Sequence, residues 1–189
     1  MRFLVLADID DLRWRGGTGR ADAVLSCGDV ADRVILEAAE AYGCRRVFAV
    51  KGNHDAFAPF PPPIVDLHLS AQVVEGITLG GFNGCWQYKP RGHYLYSQEE
   101  VERHLAAMPR VGLFLAHNSP RGVHDREDGV HLGFDAFTAY IHRARPRLLL
   151  HGHQHHAVET LVGETRVLGV HGHALIAVDA PTRDDGDGQ

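Results

Sequence analysis

Residues 23–55 read AVLSCGDVADRVILEAAEAYGCRRVFAVKGNHD, and this stretch decides the architecture. Its two apolar runs, AVLSC (23–27) and RVFAV (46–50), are short and continuous, as expected of strands buried on both faces. Between them, VADRVILEAAEAYG (30–43) has helical spacing and good helix formers, and Gly43 stops it. Strand, helix and strand at this spacing form a βαβ unit, so the sheet is parallel here. Similar apolar runs recur at RFLVLA (2–7), VGLFLA (111–116) and RLLLHG (147–152). Shorter strands are expected at VDLHLS, QVVEG and ITLGGF (65–82), and a hairpin at 157–170 turns on VGET before a last strand at 174–179. Helices are expected at 97–108, where Ser97 and Glu100 make a capping box, and at 134–144, stopped before Pro146. The proline-rich segment 57–66 and the aromatic segment 84–97 read as loops. The expected fold is α/β, a two-sheet αββα sandwich over residues 1–180 with no internal linker or repeat. Residues 181–189 read as a disordered polar tail.

The buried runs share a feature at their carboxyl ends. The first ends at Asp8, with Asp10 two residues on, and the second ends at Asp29. The third ends in Asn53, His54 and Asp55, the fourth in His117, and the fifth in HGHQHH, which carries His153 and His155. Taken alone, each has a structural explanation: Gly28-Asp29 and GNHD are common turn chemistry, and a lone histidine is more often packed than ligating. Ligands of open α/β sheets bind at the carboxyl ends of strands, and five such ends bearing oxygen and imidazole donors converge on one rim. Two imidazoles two residues apart on an extended chain also face one side.

The ordered set D-x-D, GD, GNHD, H and GHQH resembles the calcineurin-like metallophosphoesterase family, specifically its compact phosphodiesterase-like members. The resemblance spans residues 8 to 155. It implies a dinuclear centre at the strand ends. One divalent ion would take Asp8, Asp10, Asp29 and His155, and the other Asp29, Asn53, His117 and His153, with Asp29 bridging. It also implies that His54 stands beside the leaving group, that Asp55 orients His54, and that a hydroxide bridging the ions attacks phosphorus in line. Trp86, Lys89, Arg91 and His124 are candidate substrate-binding residues. His151 and His156 are assigned to packing or surface.

The chain departs from the family pattern at Asp10, where the family has histidine. Three carboxylates against two divalent ions leave a formal charge of +1 in place of +2. This should acidify a bound water less and favour manganese, with iron or zinc as alternatives. Composition narrows the function further. The 189 residues carry a net charge of −5, which does not suit a long nucleic acid as partner. The expected partner is a small phosphoester, and the oligomeric state is open. No apolar run is long enough to cross a bilayer, and three cysteines, an odd count, fit reduced thiols in the cytoplasm. A phosphodiesterase is the leading expectation and a phosphomonoesterase or protein phosphatase the runner-up. A non-catalytic scaffold on the same fold is the alternative from another class. Retention of His54 weighs against it.

Overall fold

The computed structural model describes residues 1–179, so the expected tail lies outside the described residues. The chain begins with β1 (Arg2–Ala7), β2 (Ala23–Ser26), α1 (Asp32–Ala41), β3 (Val47–Ala49) and β4 (Ile64–Asp66). It continues through β5 (Ala71–Val74), β6 (Ile77–Phe82), β7 (Cys85–Trp86), β8 (Leu95–Tyr96), α2 (Gln98–Ala106) and β9 (Leu113–Ala116). The last elements are α3 (Asp135–Ala144), β10 (Leu148–His151), β11 (Val158–Val162), β12 (Thr165–Gly169) and β13 (Gly172–Ala177). One sheet has the order β13-β1-β2-β3-β4 and the other β11-β12-β10-β9-β6-β5. Within them β1 to β4 are mutually parallel, as are β6, β9, β10 and β12, and antiparallel strands close three edges.

Alternation along each strand makes the layers. Phe3, Val5 and Ala7 of β1 point inward with Leu25, Leu79, Leu113, Leu115 and Leu150, forming the core between the sheets. Leu4 and Leu6 point outward under Val34, Ile35 and Ala38 of α1. On the far side, Phe82, Phe114 and Leu149 pack against Val101 and Leu105 of α2 and Phe137 and Tyr140 of α3. The result is the expected αββα sandwich. Burying each of these Leu, Val or Phe side chains contributes about 1.5–3 kcal/mol. The capping box of α2 is present: the Glu100 amide donates to Ser97 Oγ (3.2 Å), and the Ser97 amide donates to Glu100 Oε2 (2.8 Å).

Two local expectations shift. The strand expected at 65–70 is regular only over Ile64–Asp66, and past it His68 makes a single parallel bridge to Gly81. Beyond it, Asp66 Oδ1 accepts the His68 amide (2.8 Å), Ser70 Oγ donates to the Asp66 carbonyl (3.1 Å), and Leu69 turns to φ 52°. These local bonds compete with the ladder and end it. The aromatic segment 84–97 is not all loop, because β7 and β8 pair in parallel inside it.

Candidate metal centre

The site forms where the carboxyl ends of both sheets meet. Asp8 follows β1, Asp29 lies just beyond β2, and the 53–55 turn lies beyond β3. From the other sheet, His117 follows β9, and His153 and His155 lie beyond β10. Ligand atoms of Asp8, Asp29 and His117 all lie within 4.8 Å of one another. His117 Nε2 is 3.3 Å from Asp29 Oδ2 and 3.1 Å from Asn53 Oδ1, and its Nδ1 is held by the Cys27 carbonyl at 2.9 Å. The His153 ring stands 5.0 Å from the His117 ring, and its amide donates to Asp8 Oδ2 (2.9 Å). His155 is more open, with Nε2 3.6 Å from Asp8 Oδ1. Asp10 is exposed, outside the tight cluster, on the wall of a cleft of about 450 Å³ that Asp8, Asp29, His54, Asp55 and His155 also line.

Backbone conformation marks the same residues. Asp8 (φ 52°), Asp29 (φ 51°), His153 (φ 65°) and His155 (φ 55°) all occupy the left-handed region. A non-glycine residue there costs energy, and such strain gathers at functional sites. The glycines beside them serve close approach. A Cβ on Gly52 would clash with Asp29 Oδ1, and one on Gly152 would lie 2.6 Å from Asp8 Oδ2. In GD, GN and GH the missing side chain is therefore the space into which a carboxylate or a neighbouring strand end moves.

Two carboxylates this close and this buried require compensation. Burial, then the charge on Asp29, pushes the Asp8 carboxyl up, opposed by His117. Asp29 resists its own burial because the charge and hydrogen bond of His117, with the His54 amide, bring it down to about 2. His117 reciprocates: burial would lower it, but Asp29 and Asp8 raise it to about 9. His153, with no such carboxylate contact, is pushed down to about 3, chiefly by burial. Asp8 Oδ1 is buried and has no hydrogen-bond partner among the described residues. A proton on His117 thus does part of what a cation would do. The donor set of hard carboxylate oxygens, an amide oxygen and imidazole nitrogens suits divalent ions.

The remaining candidates separate. His54 is exposed in the cleft, and its amide donates to Asp29 Oδ1 (2.8 Å). Asp55 does not act on the His54 ring as expected. Its Oδ2 accepts the amides of Gly52 (2.7 Å) and Asp29 (2.9 Å), so it fixes the turn that presents His54. Trp86, a candidate substrate-binding residue, is half-buried and packs on the aromatic core beneath α2 and α3. His124 is outside the cleft wall. It bonds His151 Nε2 through Nδ1 (2.9 Å) and Thr160 Oγ1 through Nε2 (2.8 Å), and the buried His151 anchors on the Gly152 carbonyl (2.9 Å). Both residues thus have structural partners of their own, Trp86 in the aromatic core and His124 in this relay. Lys89 and Arg91 lie exposed on the 84–97 segment.

Sequence reasoning missed Lys51, which is 2% exposed and paired with Asp32 of the cleft wall at 3.2 Å. Its ammonium also sits 3.7 Å above the Phe60 ring. The signal was present as a lone lysine in an apolar strand end directly before GNHD. His131, a loop histidine of the 117–133 segment, comes close to the site. Its Nδ1 meets Asp128 (2.7 Å), and its ring lies 5.0 Å from the His153 ring.

Comparison with known proteins agrees with the geometry. Solved structures share the fold at low identity. A phosphopantetheinyl hydrolase from Mycobacterium tuberculosis superposes with TM-score 0.56 at 13% identity, covering 90% of this chain and 89% of that one. Vps29 from Entamoeba histolytica complexed with zinc gives 0.53 at 14% identity, covering 96% and 88%. A protein of Thermus thermophilus gives 0.55 at 16% identity, covering 89% of each. No curated protein matches in sequence. The family model described as calcineurin-like phosphoesterase matches residues 1–157, and the chain belongs to that family of metal-dependent phosphoric ester hydrolases.

Proposed function

We propose that this chain is a two-metal phosphodiesterase acting on small phosphodiesters. The observation that carries the reading is the close triad of Asp8, Asp29 and His117, with the buried Asp8 Oδ1 left without a protein partner among the described residues. One ion would be held by Asp8, Asp10, Asp29 and His155, and the other by Asp29, Asn53, His117 and His153. When bound, the ions supply positive charge for the phosphoryl oxygens and acidify water. The chain does the rest. Asp29 anchors the His54 amide, Asp55 pins the turn, and the exposed His54 ring faces a leaving group to which it donates a proton.

Substrate size follows from the cleft. It opens to solvent, and Asp8, Asp10, Asp29, Asp32 and Asp55 all line it. With a net charge of −5, that surface repels a long polyanion and leaves a small diester as the better fit. Manganese is the ion we favour over iron or zinc, on the third carboxylate at Asp10. Cys27, Cys44 and Cys85 are all free thiols, which fits a reducing compartment such as the cytoplasm. No helix among the described residues is long and apolar enough to cross a membrane.

The test is p-nitrophenolate release from bis-p-nitrophenyl phosphate by metal-stripped protein with manganese added back. Release that needs the metal and is lost in His54→Ala and Asp29→Ala is expected. A folded protein that binds manganese but cleaves only p-nitrophenyl phosphate is a monoesterase. One that cleaves neither is a scaffold.

A further inference from the structure

Phe57 lies three residues beyond His54 and one beyond Ala56, which lines the cleft. It is 73% exposed. A single exposed apolar side chain is ordinary, but this one is held in place. Its ring stacks on His93 with centroids 5.0 Å apart and planes at 22°, and Tyr94 braces it at 5.8 Å. The two segments that meet here are tied together beside the site. Tyr94 donates its hydroxyl to the Ala56 carbonyl (3.4 Å), and Asn53 Nδ2 donates to the Tyr88 hydroxyl (3.5 Å). Lys89 places its ammonium 4.9 Å from the centre of the Tyr88 ring. Neither Lys89 nor Arg91 makes an ion pair among the described residues, while the cleft wall itself is acidic. A flat, pre-stacked aromatic edge three residues along the chain from the proposed proton donor, stacked on the segment that carries Lys89 and Arg91, is suited to a planar group attached to an anion.

We propose that Phe57, backed by His93, is a specificity-determining residue, the platform on which a planar ring carried by the alcohol of the phosphoester stacks. The ring is a nucleobase or an aryl group. The inference rests on the phosphoesterase reading above, because that reading puts the alcohol beside His54. Stacking on a single aromatic side chain is worth roughly five- to a hundredfold in affinity.

The test is calorimetric titration of the manganese-loaded protein with adenosine 5′-monophosphate, phenyl phosphate and ribose 5-phosphate, which share the anion and differ in the ring. The wild type should bind at least one ring-bearing ligand fivefold or more tighter than ribose 5-phosphate. The ligand that shows the preference identifies the source, nucleoside or aryl. Phe57→Ala, a change at an exposed position that the fold tolerates, should collapse this ratio toward one, and His93→Ala should reduce it. Equal affinities for all three ligands in the wild type, or an undiminished ratio in Phe57→Ala, would overturn the platform. Either result alongside metal-dependent diester hydrolysis removes the platform alone. A Phe57-dependent ratio without hydrolysis removes the catalytic reading alone.

Discussion

Loading the metal centre should release a proton, and the pH dependence of binding should trace it to His117. In the stripped protein His117 is raised to about 9 because Asp29 and Asp8 outweigh its burial. Its Nε2 faces Asp29 Oδ2 at 3.3 Å and Asn53 Oδ1 at 3.1 Å, so a cation entering there displaces that proton. His153, at about 3, arrives neutral, and Asp29, at about 2, arrives as an anion. Below pH 9, each unit of acidification should therefore weaken apparent affinity about tenfold, or roughly a hundredfold between pH 8.5 and pH 6.5. Stability moves the other way in the stripped protein. A histidine raised from 6.5 to about 9 on folding contributes stability that is fully present below pH 6.5 and lost as pH rises through 9. The loss is about 3 kcal/mol. Asp29, lowered to about 2, contributes stability present above pH 3.8 and lost as pH falls through 2. The melting-temperature gap between loaded and stripped protein should thus widen from pH 6.5 to 8.5. Manganese titration calorimetry in two buffers of different protonation enthalpy counts the protons released. A count near one that disappears in His117→Gln is expected. No net proton release, with affinity flat in pH, would refute the assignment of the charge.

Four further outcomes follow from single contacts. Gly52→Ala places a methyl on Asp29 Oδ1 and 2.7 Å from the Asp29 amide. It should cost about 1–3 kcal/mol in thermal or denaturant unfolding and weaken metal binding with it. Lys51→Met removes the buried partner of Asp32; because Asp32 stays partly hydrated, the loss in denaturant melts should be about 1–3 kcal/mol, below that for a fully buried pair. His124→Phe strands the buried His151 Nε2 and should cost about 1–3 kcal/mol, with the GHQH loop exchanging amide hydrogen faster. Asp10→His should retain metal and shift preference from manganese toward zinc in competition titrations; a variant that no longer binds metal would show that the exposed carboxylate is no simple substitute for imidazole.

The elements that place the site were legible because each has a local cause. Apolar runs with a chemical residue at the end marked β1, β2, β3, β9 and β10, and the residues beyond them come together, Asp8, Asp29 and His117 within 4.8 Å and Asp8, Asp29, His54, Asp55 and His155 on one cleft. What was not legible depends on contacts distant in sequence. Nothing local distinguishes His124 as a partner of His151, 27 residues away, from a loop histidine facing substrate. Trp86 carries the chemistry of a groove lining, and nothing local shows that it also packs on the aromatic core beneath α2 and α3. Lys51 reads as an ordinary strand-end lysine until Asp32 and Phe60, from separate segments, close over it. Asp55 was placed in the right turn, but its partners are backbone amides, which a pattern of side chains does not reveal.

The division of donors between the two sheets explains why the fold tolerates so costly a site. The first sheet supplies oxygen, through Asp8, Asp29 and Asn53, and the second supplies nitrogen, through His117, His153 and His155. Neither half is a good site alone. The oxygens by themselves place two carboxylates close together, and of the imidazoles His117 and His153 are buried bases, His153 staying neutral down to about 3. Brought together across the seam, each half offsets the other, first through the proton on His117 and more fully through cations. Because the apolar layer between the sheets holds that seam closed with Val5, Leu25, Leu115 and Leu150, the left-handed turns at Asp8, Asp29 and His153 can be maintained at its rim. The cations would in turn tie the sheets where the apolar layer ends. The same contacts that make the centre electrostatically tense without cations would make it, with the proposed ions bound, a cross-link between the two halves of the sandwich.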